Sequence, residues 1–376
     1  MSEQIKVPCV IMRGGTSKGV FFHANDIPRT PEERDRFLLA VFGSPDKRQI
    51  DGLGGADLLT SKCAIVAPSD REDADVVYTF AQVGIDKPEV SYDINCGNII
   101  SAVGHYAIDH GWIKAVEPIT SVRVYNTNTD KVITLHVRIR DGEPAVEGDC
   151  RIDGVPGTSA EVGLDYSKTY GGVTGKLFPT GRVRDRVHVP LLGKSIDITI
   201  VDLGNLSVFF KAEDIGCTGV EMPHQFSQTT YDIFEQIRKI AGDMCGLDEK
   251  ATMIPYQIMV APPSRYELIS GGTSIEAEDM DFVARMCTLG GMHKAFPVGG
   301  ATSAAIAALA EGSVVHEVSG THDNPRQVRI GHPSGMMQVY ARAESENGAW
   351  TAKEVTFART ARKIMDGFVY VRKSRL

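Results

Sequence analysis

The sequence predicts an α+β fold made of two similar, strand-rich halves, residues 1–187 and 188–376. Three observations support this prediction: segments of the first half recur in the second, most patterned segments have the β-branched content of strands, and helical segments are few. Many strands with few helices per half are typical of α+β rather than of alternating βαβ folds. In such a protein we expect the ligand to bind in a cleft between the two halves.

An internal repeat defines the two halves. The segment 19–27, GVFFHANDI, recurs at 207–215 as SVFFKAEDI, an offset of 188. Three shorter matches follow in the same order, with offsets of 194, 206 and 213: Val66-Ala67-Pro68 with Val260-Ala261-Pro262, Val122-Arg123-Val124 with Val328-Arg329-Ile330, and Asp153-Gly154 with Asp366-Gly367. Insertions in a second copy would produce such rising offsets, although coincidence among common strand sequences is the alternative. The conserved order favours a duplication.

Strand-like and helix-like segments can be placed along both halves. Strands are predicted over 7–12, 19–22, 63–67, 76–82, 122–125 and 132–138, because these runs are rich in Val, Ile and Thr. Thr30-Pro31-Glu32-Glu33 predicts the start of a helix, with Thr30 as its N-cap. Further helices are predicted over 98–110, 231–244, 276–289 and 302–310.

Composition and charge exclude several classes of function. The 376-residue chain has a formal net charge of −8, which does not favour a general nucleic-acid or membrane-binding surface. It has no apolar run long enough to span a bilayer and no signal-peptide pattern, so a cytoplasmic protein is expected. Its seven cysteines are scattered without a C-x-x-C pair, which argues against a disulfide framework or a structural zinc site.

A cysteine ahead of a predicted helix is one candidate for chemistry. Asn95-Cys96-Gly97-Asn98 leads into the helix predicted from residue 98, so Cys96 lies where free backbone N–H groups stabilise a thiolate. Gly97 allows a ligand to approach the backbone closely. The alternative is a half-buried cysteine in an ordinary Asn-x-Gly turn, and the local sequence does not separate the two.

A lysine at the start of an apolar strand is a second candidate. Lys62 follows Ser61 and precedes the apolar run 63–67, an unusual place for a lysine unless its amine points into a cleft. Burial there would favour the neutral amine, which can act as a base. The offset of 194 aligns Lys62 with Tyr256, so the second half has no matching lysine. The alternative is a strand-end lysine whose amine reaches water.

Three polar turns are candidates for binding an anionic substrate. Residues 13–19, RGGTSKG, offer glycines, hydroxyls and backbone amides between two strands, a pattern suited to a carboxylate. Residues 331–335, GHPSG, take the place of 126–129 under the offset of 206, and ordinary hairpin turns are the alternative for both. Residues 299–305 align loosely with the start of the Cys96 helix, which leaves open whether Thr302 or Ser303 faces the thiol.

No cofactor or metal site is expected from these motifs. The 13–19 turn lacks the P-loop pattern G-x-x-x-x-G-K-[ST], and the sequence contains no G-x-G-x-x-G. His105 and His110 are five residues apart without an acidic partner, so we expect both at the surface rather than on a metal.

Taken together, the motifs resemble those of the PrpF-like family, which includes 2-methylaconitate isomerases, methylitaconate Δ-isomerase, 4-oxalomesaconate tautomerase and aconitate isomerases. The motifs that carry the resemblance are 12–19 (MRGGTSKG), 48–52 (RQIDG), 60–62 (TSK), 95–98 (NCGN), 331–335 (GHPSG) and 359–365 (RTARKIM). The resemblance implies the diaminopimelate epimerase-like fold, in which two similar halves each wrap strands around a central helix and the active site lies between them.

The resemblance also implies which residues act. The lysine at 62 and the cysteine at 96 match the family's catalytic pair, whereas related racemases use one cysteine from each half. Substrate contacts are implied, or suggested by the turns above, for Arg13, Gly15, Thr16, Ser17, Gln49, Ser61, Asn95, Gly97, Asn98, Thr302, Ser303, His332, Ser334 and Gly335.

The implied activity is a cofactor-independent isomerisation of a small unsaturated di- or tricarboxylic acid. Lys62 would remove a proton next to the double bond, and Cys96 or the same lysine would return a proton two carbons away. Methylitaconate, methylaconitate, aconitate and oxalomesaconate are all candidate substrates. The alternatives are an amino-acid racemase or epimerase of the same fold, which would need a second thiol, and a non-catalytic accessory protein to a dehydratase. A homodimer is the default expectation for the oligomeric state.

Overall fold

The computed structural model describes residues 2–248, 250–288, 291–319, 326–346 and 349–376. The chain forms two compact units: residues up to Leu164 together with Ala358–Leu376, and Asp165–Phe357. These boundaries differ from the sequence-based division between 187 and 188. Residues 361–372 pair with 4–14 and so return to the first unit. Residues 165–187 belong to the second unit, where 185–189 pair with 194–198.

The described residues contain twenty strands and six helices. The strands are β1 Gln4–Gly14, β2 Ser17–His23, β3 Lys62–Pro68, β4 Val76–Val83, β5 Val90–Ser91, β6 Ile119–Asn126, β7 Lys131–Arg140, β8 Glu143–Pro144, β9 Glu161–Asp165, β10 Asp185–Val189, β11 Lys194–Leu203, β12 Asn205–Lys211, β13 Tyr256–Ala261, β14 Tyr266–Glu267, β15 Ser274–Ile275, β16 Phe282–Thr288, β17 Gly291–Met292, β18 Arg326–His332, β19 Gly335–Glu346 and β20 Ala349–Arg372. The helices are α1 Pro31–Phe42, α2 Gly97–Ile100, α3 Val103–Asp109, α4 Gln228–Met244, α5 Val298–Leu309 and α6 Val314–Val318. None of these helices is long and apolar enough to cross a membrane.

The first unit contains a mixed sheet whose register places the candidate lysine. β1 pairs antiparallel with β2 and, on its other side, with the end of β20. β2 runs parallel to β3 with Gly19 opposite Lys62, and β3 runs antiparallel to β4 with Lys62 opposite Gln82. β4 then pairs in parallel with β6, and β6 pairs antiparallel with β7. Lys62 therefore lies on an inner strand, between β2 and β4.

The second unit repeats this order of pairing. β11, β12, β13, β16, β18 and β19 follow one another with the same parallel and antiparallel relations. Ser207 lies opposite Tyr256 just as Gly19 lies opposite Lys62, so the offsets of 188 and 194 are both preserved. The predicted α+β fold with two similar strand-rich halves is confirmed.

Two further matches of the repeat have different outcomes. Val124 pairs with Val76 in β4 and Ile330 with Phe282 in β16, so the match with offset 206 reflects equivalent strands. By contrast, Asp153-Gly154 lies in a turn, whereas Asp366-Gly367 lies inside β20 and pairs with β1. The match with offset 213 is therefore a coincidence.

Each unit buries a helix against its sheet. Every residue of α5 is buried, and its many Gly and Ala residues let strands approach its axis closely. In the first unit the equivalent segment is broken into α2 and α3. Phe21 of β2 contacts Tyr106 of α3, whereas the next residue, Phe22, contacts Phe37 of α1. Because successive strand residues point to opposite faces, this sheet carries helices on both faces.

Three local predictions need correction and one is confirmed. The helix predicted over 98–110 is divided into two helices, α2 Gly97–Ile100 and α3 Val103–Asp109. The helix predicted over 276–289 is wrong: residues 282–288 form β16, whose pairing with β13 and β18 outweighs local propensity, and residue 289 lies outside the described residues. His105 is buried, not at the surface. Thr30 is the N-cap of α1, as predicted.

Candidate active site

The turn between β1 and β2 rests on the start of α2. Gly15 has a φ of +51°, and a Cβ added there would lie 2.0 Å from the Asn98 Oδ1 atom. That oxygen accepts hydrogen bonds from the Thr16 backbone N–H at 3.3 Å and from Arg359 Nε at 3.2 Å. Only glycine fits this position without displacing Asn98. The predicted turn and the Asn95–Asn98 segment are thus brought together.

Two hydroxyls at this turn have unused hydrogen-bonding capacity. The Thr16 Oγ1 and Ser17 Oγ atoms are buried, and neither has a protein hydrogen-bond partner within the described part of the chain. Buried polar atoms without a partner are rare, because leaving water without a replacement hydrogen bond costs about 1–3 kcal/mol. An anionic ligand that accepts from both hydroxyls would remove this cost.

Arg13 supports the turn from behind. Its Nη1 atom donates to the carbonyl oxygens of Gly15, at 3.0 Å, and Thr360, at 2.9 Å. Burial lowers the pKa of Arg13, with a smaller contribution from the nearby Arg362 charge. These contacts favour a positioning role for this end of the guanidinium, and the substrate contact of Arg13 stays a prediction.

Lys62 is a buried lysine with a neutral partner. Its side chain lies in a site only 6% exposed, and Nζ donates to Gln82 Oε1 at 3.0 Å. The amine also lies 5.1 Å from the centre of the Phe80 ring. Among the described residues, no carboxylate forms an ion pair with Lys62. A buried amine without a counter-charge is unusual, and it is available to exchange a proton with a ligand.

The strand register puts Lys62 and Ser17 on one face of the sheet. Ser17 and Gly19 are two residues apart in β2, so their side-chain positions share a face, and Lys62 lies beside Gly19. A Cβ on Gly19 would lie 2.9 Å from Ile99 Cδ1, so this face is the one that α2 covers. The unpartnered hydroxyl of Ser17, the amine of Lys62 and the start of α2 thus form one local group.

Cys96 is the N-cap of α2, as the sequence predicts. It is 8% exposed, and Gly97 and Asn98 behind it are buried. Asn95, beside it, accepts a hydrogen bond on Oδ1 from Asn126 Nδ2 at 3.1 Å. This contact joins the Cys96 segment to the turn after β6. That turn, residues 126–129, is the one that the repeat makes equivalent to residues 331–335.

Gln49 and Ser61 form hydrogen bonds with one another and with other protein groups. Both Nε2 hydrogens of Gln49 are used, on Ser44 Oγ at 3.1 Å and on Ser61 Oγ at 2.8 Å, and its Oε1 accepts from the Ala56 N–H at 2.8 Å. The Ser61 hydroxyl donates to the Val83 carbonyl at 2.8 Å. Both side chains are buried, so these contacts favour positioning of the loop before β3 over the predicted substrate contact.

Thr302 and Ser303 do not occupy the position equivalent to Cys96. The N-cap of α5 is Pro297, whereas Thr302 lies in the second turn and donates to the Gly299 carbonyl at 2.9 Å, as Ser101 does to Asn98. Ser303 Oγ donates to the Leu203 carbonyl at 2.7 Å. Their place in the helix differs from the N-cap position of Cys96, and the expectation that one of them faces the thiol stays a prediction. Their hydroxyls hold the β11–β12 turn.

The turn at residues 332–335 is fixed separately within the second unit. The Tyr266 hydroxyl makes hydrogen bonds to the carbonyls of His332, at 2.9 Å, and Gly335, at 3.2 Å. Ser334 Oγ donates to the Lys294 carbonyl at 2.5 Å, and its N–H donates to His332 Nδ1 at 3.2 Å. The turn is ordered by these contacts with Tyr266 and Lys294.

The sequence did not reveal three residues that order the first-unit site. Gln82 bonds Lys62, Arg359 bonds Asn98, and Thr360 bonds Arg13. Arg359 and Thr360 carry a usable signal, because they interrupt a strand with buried polar side chains. Gln82 has no such signal in the sequence. It looks like an ordinary strand residue until the register of β3 and β4 is known. Within the described ranges, no group of three or more His, Cys, Asp or Glu side chains is arranged to hold a metal.

Comparison with known proteins gives consistent matches along the chain. The chain is 42% identical to the 3-methylitaconate isomerase of Eubacterium barkeri, with all of both chains covered. It is 40% identical to the 2-methyl-aconitate isomerase of Shewanella oneidensis, with 98% of each covered, and 39% identical to the 4-oxalomesaconate tautomerase of Pseudomonas putida, with 98% of this chain and 97% of the relative covered.

Solved structures share the fold. The crystal structure of a methylitaconate-delta-isomerase, 42% identical, superposes with a TM-score of 0.79 over 100% of this chain and 97% of its own. A hydroxyproline epimerase from Agrobacterium vitis, only 12% identical, superposes with a TM-score of 0.59 over 98% and 93%, which indicates a common fold alone. The family model described as PrpF protein matches residues 4–372. The chain belongs to the PrpF family.

Proposed function

We propose that this isomerase moves a proton between two carbons of a small unsaturated di- or tricarboxylic acid, with Lys62 as the base. The observation that carries the proposal is the buried amine of Lys62, paired with a neutral amide, on the same sheet face as an unpartnered hydroxyl. The names of the relatives, 3-methylitaconate isomerase, 2-methyl-aconitate isomerase and 4-oxalomesaconate tautomerase, support this substrate class.

In the proposed reaction, a substrate carboxylate accepts hydrogen bonds from the Thr16 and Ser17 hydroxyls. Neutral Lys62 takes a proton from the substrate carbon next to the double bond. The electron pair of the broken substrate C–H bond moves into a delocalised dienolate. Negative charge then builds on carboxylate oxygens, where fixed hydrogen-bond donors stabilise it most. Cys96 or the Lys62 ammonium returns a proton two carbons away, so the double bond shifts with no net gain or loss of atoms.

The racemase alternative receives less support from the second unit. A racemase with one thiol on each side of its substrate would need a cysteine equivalent to Cys96, and Pro297 occupies the equivalent helix N-cap. Proline has no side-chain proton to transfer. An accessory protein without catalysis remains the alternative that turnover measurements must separate.

The test is steady-state turnover of purified protein on a panel of unsaturated acids that includes 2-methylaconitate, 3-methylitaconate, aconitate and 4-oxalomesaconate. We expect turnover of at least one acid, and a loss of about 10²–10⁴-fold in kcat in Lys62→Met, the usual range for removing a general base. Lys239→Met, which removes an exposed lysine from α4, is the matched control. An inactive wild type that still binds an acid tightly would favour the accessory protein.

We also propose that the protein works in the cytoplasm as a homodimer. All seven cysteines are free, which suits a reducing compartment. Sedimentation of the untagged protein would test the dimer, and fractionation of the source cells would test the location.

A further inference from the structure

We propose that Gln82 is a positioning residue that sets both the direction and the protonation of Lys62; the inference rests on the proposed role of Lys62 as the base. Gln82 lies opposite Lys62 on the neighbouring strand β4, and the two side chains are 3% and 6% exposed. The Lys62 amine donates to Gln82 Oε1 at 3.0 Å. Gln82 has no place in the substrate-binding group described above, so it acts through Lys62.

The orientation of the Gln82 amide is fixed by its surroundings. Its Nε2 atom donates to the carbonyl oxygens of Ser61, at 2.8 Å, and Leu58, at 3.4 Å. A flipped amide would bring Oε1 against those two carbonyl oxygens, so both of these hydrogen bonds would be lost. Oε1 must therefore face Lys62.

The residues that hold Gln82 are themselves held. Ser61 bonds the Val83 carbonyl and the Gln49 amide, and Gln49 continues to Ser44 and Ala56. A chain of hydrogen bonds thus runs from the loop before β3 through Gln82 to the Lys62 amine. This chain gives Gln49 and Ser61 a role in the reaction without a substrate contact.

A neutral acceptor suits a lysine that must act as a base. A neutral amine that donates one N–H to Oε1 can rotate less freely, so its lone pair points in a restricted set of directions. The lone pair can then be directed at the C–H bond of the substrate that loses its proton. A carboxylate at the same place would also orient the amine, but its negative charge would favour the ammonium form. Gln82 therefore orients the Lys62 amine without placing a charge beside it.

The experiment compares Gln82→Glu and Gln82→Met with the wild type in two ways. The first is the pH dependence of kcat and KM on the best acid of the panel. The second needs no turnover: the pH at which Lys62 loses its proton, followed by NMR in protein labelled at lysine Cε, with Lys62→Met used to assign the signal. Gln257→Glu and Gln257→Met are matched controls, since Gln257 is a buried strand glutamine of the second unit that bonds the Pro255 carbonyl.

We expect opposite shifts from the two Gln82 variants. In Gln82→Glu the rising limb of the kcat profile and the NMR midpoint should both move up by about 1–3 pH units, with activity recovered at high pH. In Gln82→Met the midpoint should move down, and kcat should fall about 10- to 100-fold with a smaller change in KM, as when a group that orients a reacting side chain is lost. The Gln257 variants should leave both midpoints in place.

Unchanged NMR midpoints in both folded Gln82 variants would overturn the inference, whatever the activity. If one variant does not fold, the other decides, because each has its own predicted direction. Failure of the proposed function would give a different result. The wild type would then turn over none of the acids, or Lys62→Met would remain as active as the wild type. The NMR midpoints would still report the contact between Gln82 and Lys62.

Discussion

In the first unit Gly19 pairs with Lys62, and in the second unit Ser207 pairs with Tyr256 at the equivalent place. The helix that follows begins after Cys96 in one unit and after Pro297 in the other. Strand order and register are retained between the units, but Lys62 and Cys96, the proposed proton-transfer residues, belong to the first unit alone. A duplicated scaffold can therefore be kept while the residues proposed for chemistry differ between its copies.

One ion pair shows how closely the scaffold is retained. Arg123 bonds Asp75 at 2.6 Å and donates to the Glu72 carbonyl, while Arg329 bonds Asp281 at 3.0 Å and donates to the Glu278 carbonyl. All three positions differ by the same offset of 206. In each unit the ion pair joins two neighbouring strands, and none of its residues is a candidate for catalysis or substrate binding. We therefore infer that the ion pair is kept in both units because it stabilises the fold.

The largest expected difference between the units is at the lysine position. Lys62→Met should lower kcat by about 10²–10⁴-fold, because a general base is removed. Tyr256→Phe should leave kcat within about threefold and lower the free energy of unfolding by about 1 kcal/mol, because it removes the hydroxyl that bonds Asn205 Nδ2. Steady-state kinetics with urea unfolding would measure both. A large loss of kcat in Tyr256→Phe would contradict the asymmetry.

The helix N-caps should differ in the same direction. We expect Cys96→Ser to lower kcat by about 10²-fold, because a serine hydroxyl is a far weaker acid than a thiol and would return the proton less readily. Pro297→Ala should leave kcat unchanged, with Cys245→Ser as a control for loss of a thiol elsewhere. Single-turnover rates would separate the chemical step from product release. Equal effects of Cys96→Ser and Pro297→Ala would assign Cys96 to the wall of the site.

The buried helices of the two units should contribute differently to the pH dependence of the free energy of unfolding. The N-cap positions 96 and 297 align His105 with Ile306, and burial lowers the pKa of His105 to about 4 from its usual 6.5. Because the unfolded chain binds the proton first, stability is full above about pH 6.5 and falls by about 2–3 kcal/mol as the pH drops toward 4. His105→Ile should remove this part of the fall, and the exposed His188→Gln should not. Urea unfolding at pH 7 and pH 4.5 would check it.

The smallest effects are expected at the repeated ion pair. Asp75→Asn and Asp281→Asn should each lower the free energy of unfolding by about 0.5–1 kcal/mol and leave kcat unchanged. Burial opposes ionisation of Asp75, but hydrogen bonds from Arg123 lower its pKa overall. The Asp75 contribution is therefore present above its unfolded pKa near 3.9 and is lost as the pH falls through the folded value. If Asp75→Asn still lowered the free energy of unfolding below the folded pKa of Asp75, the ionised carboxylate would not be the source of this stability.

Much of the fold followed from the sequence, because a duplication is visible whenever enough specific residues survive in both copies. The 19–27 and 207–215 segments fixed the equivalence of β2 and β12, and with it the pairing of Lys62 and Tyr256. The 276–289 segment was misread because a short apolar run fits a buried strand as well as a helix, and only pairing with β13 and β18 decides between them.

The site was predicted less completely than the fold. Lys62 and Cys96 stand out because each is an unusual residue for its local setting. Gln82 does not, since its contact with Lys62 depends on a register set across twenty residues of chain. Thr302 and Ser303 were both left open as counterparts of Cys96, because the surrounding Gly and Ala residues carry little alignment information. In the structure the N-cap of that helix is Pro297.

The most direct test of the central claim follows the proton itself. The wild type and Lys62→Met would each be incubated with the best substrate acid in D2O, and the products read by ¹H NMR and mass spectrometry. We expect wild-type product to carry solvent deuterium at the carbon two positions from the one that loses its proton, and Lys62→Met to give none above background. Deuterium incorporation by Lys62→Met at the wild-type rate would rule out Lys62 as the base.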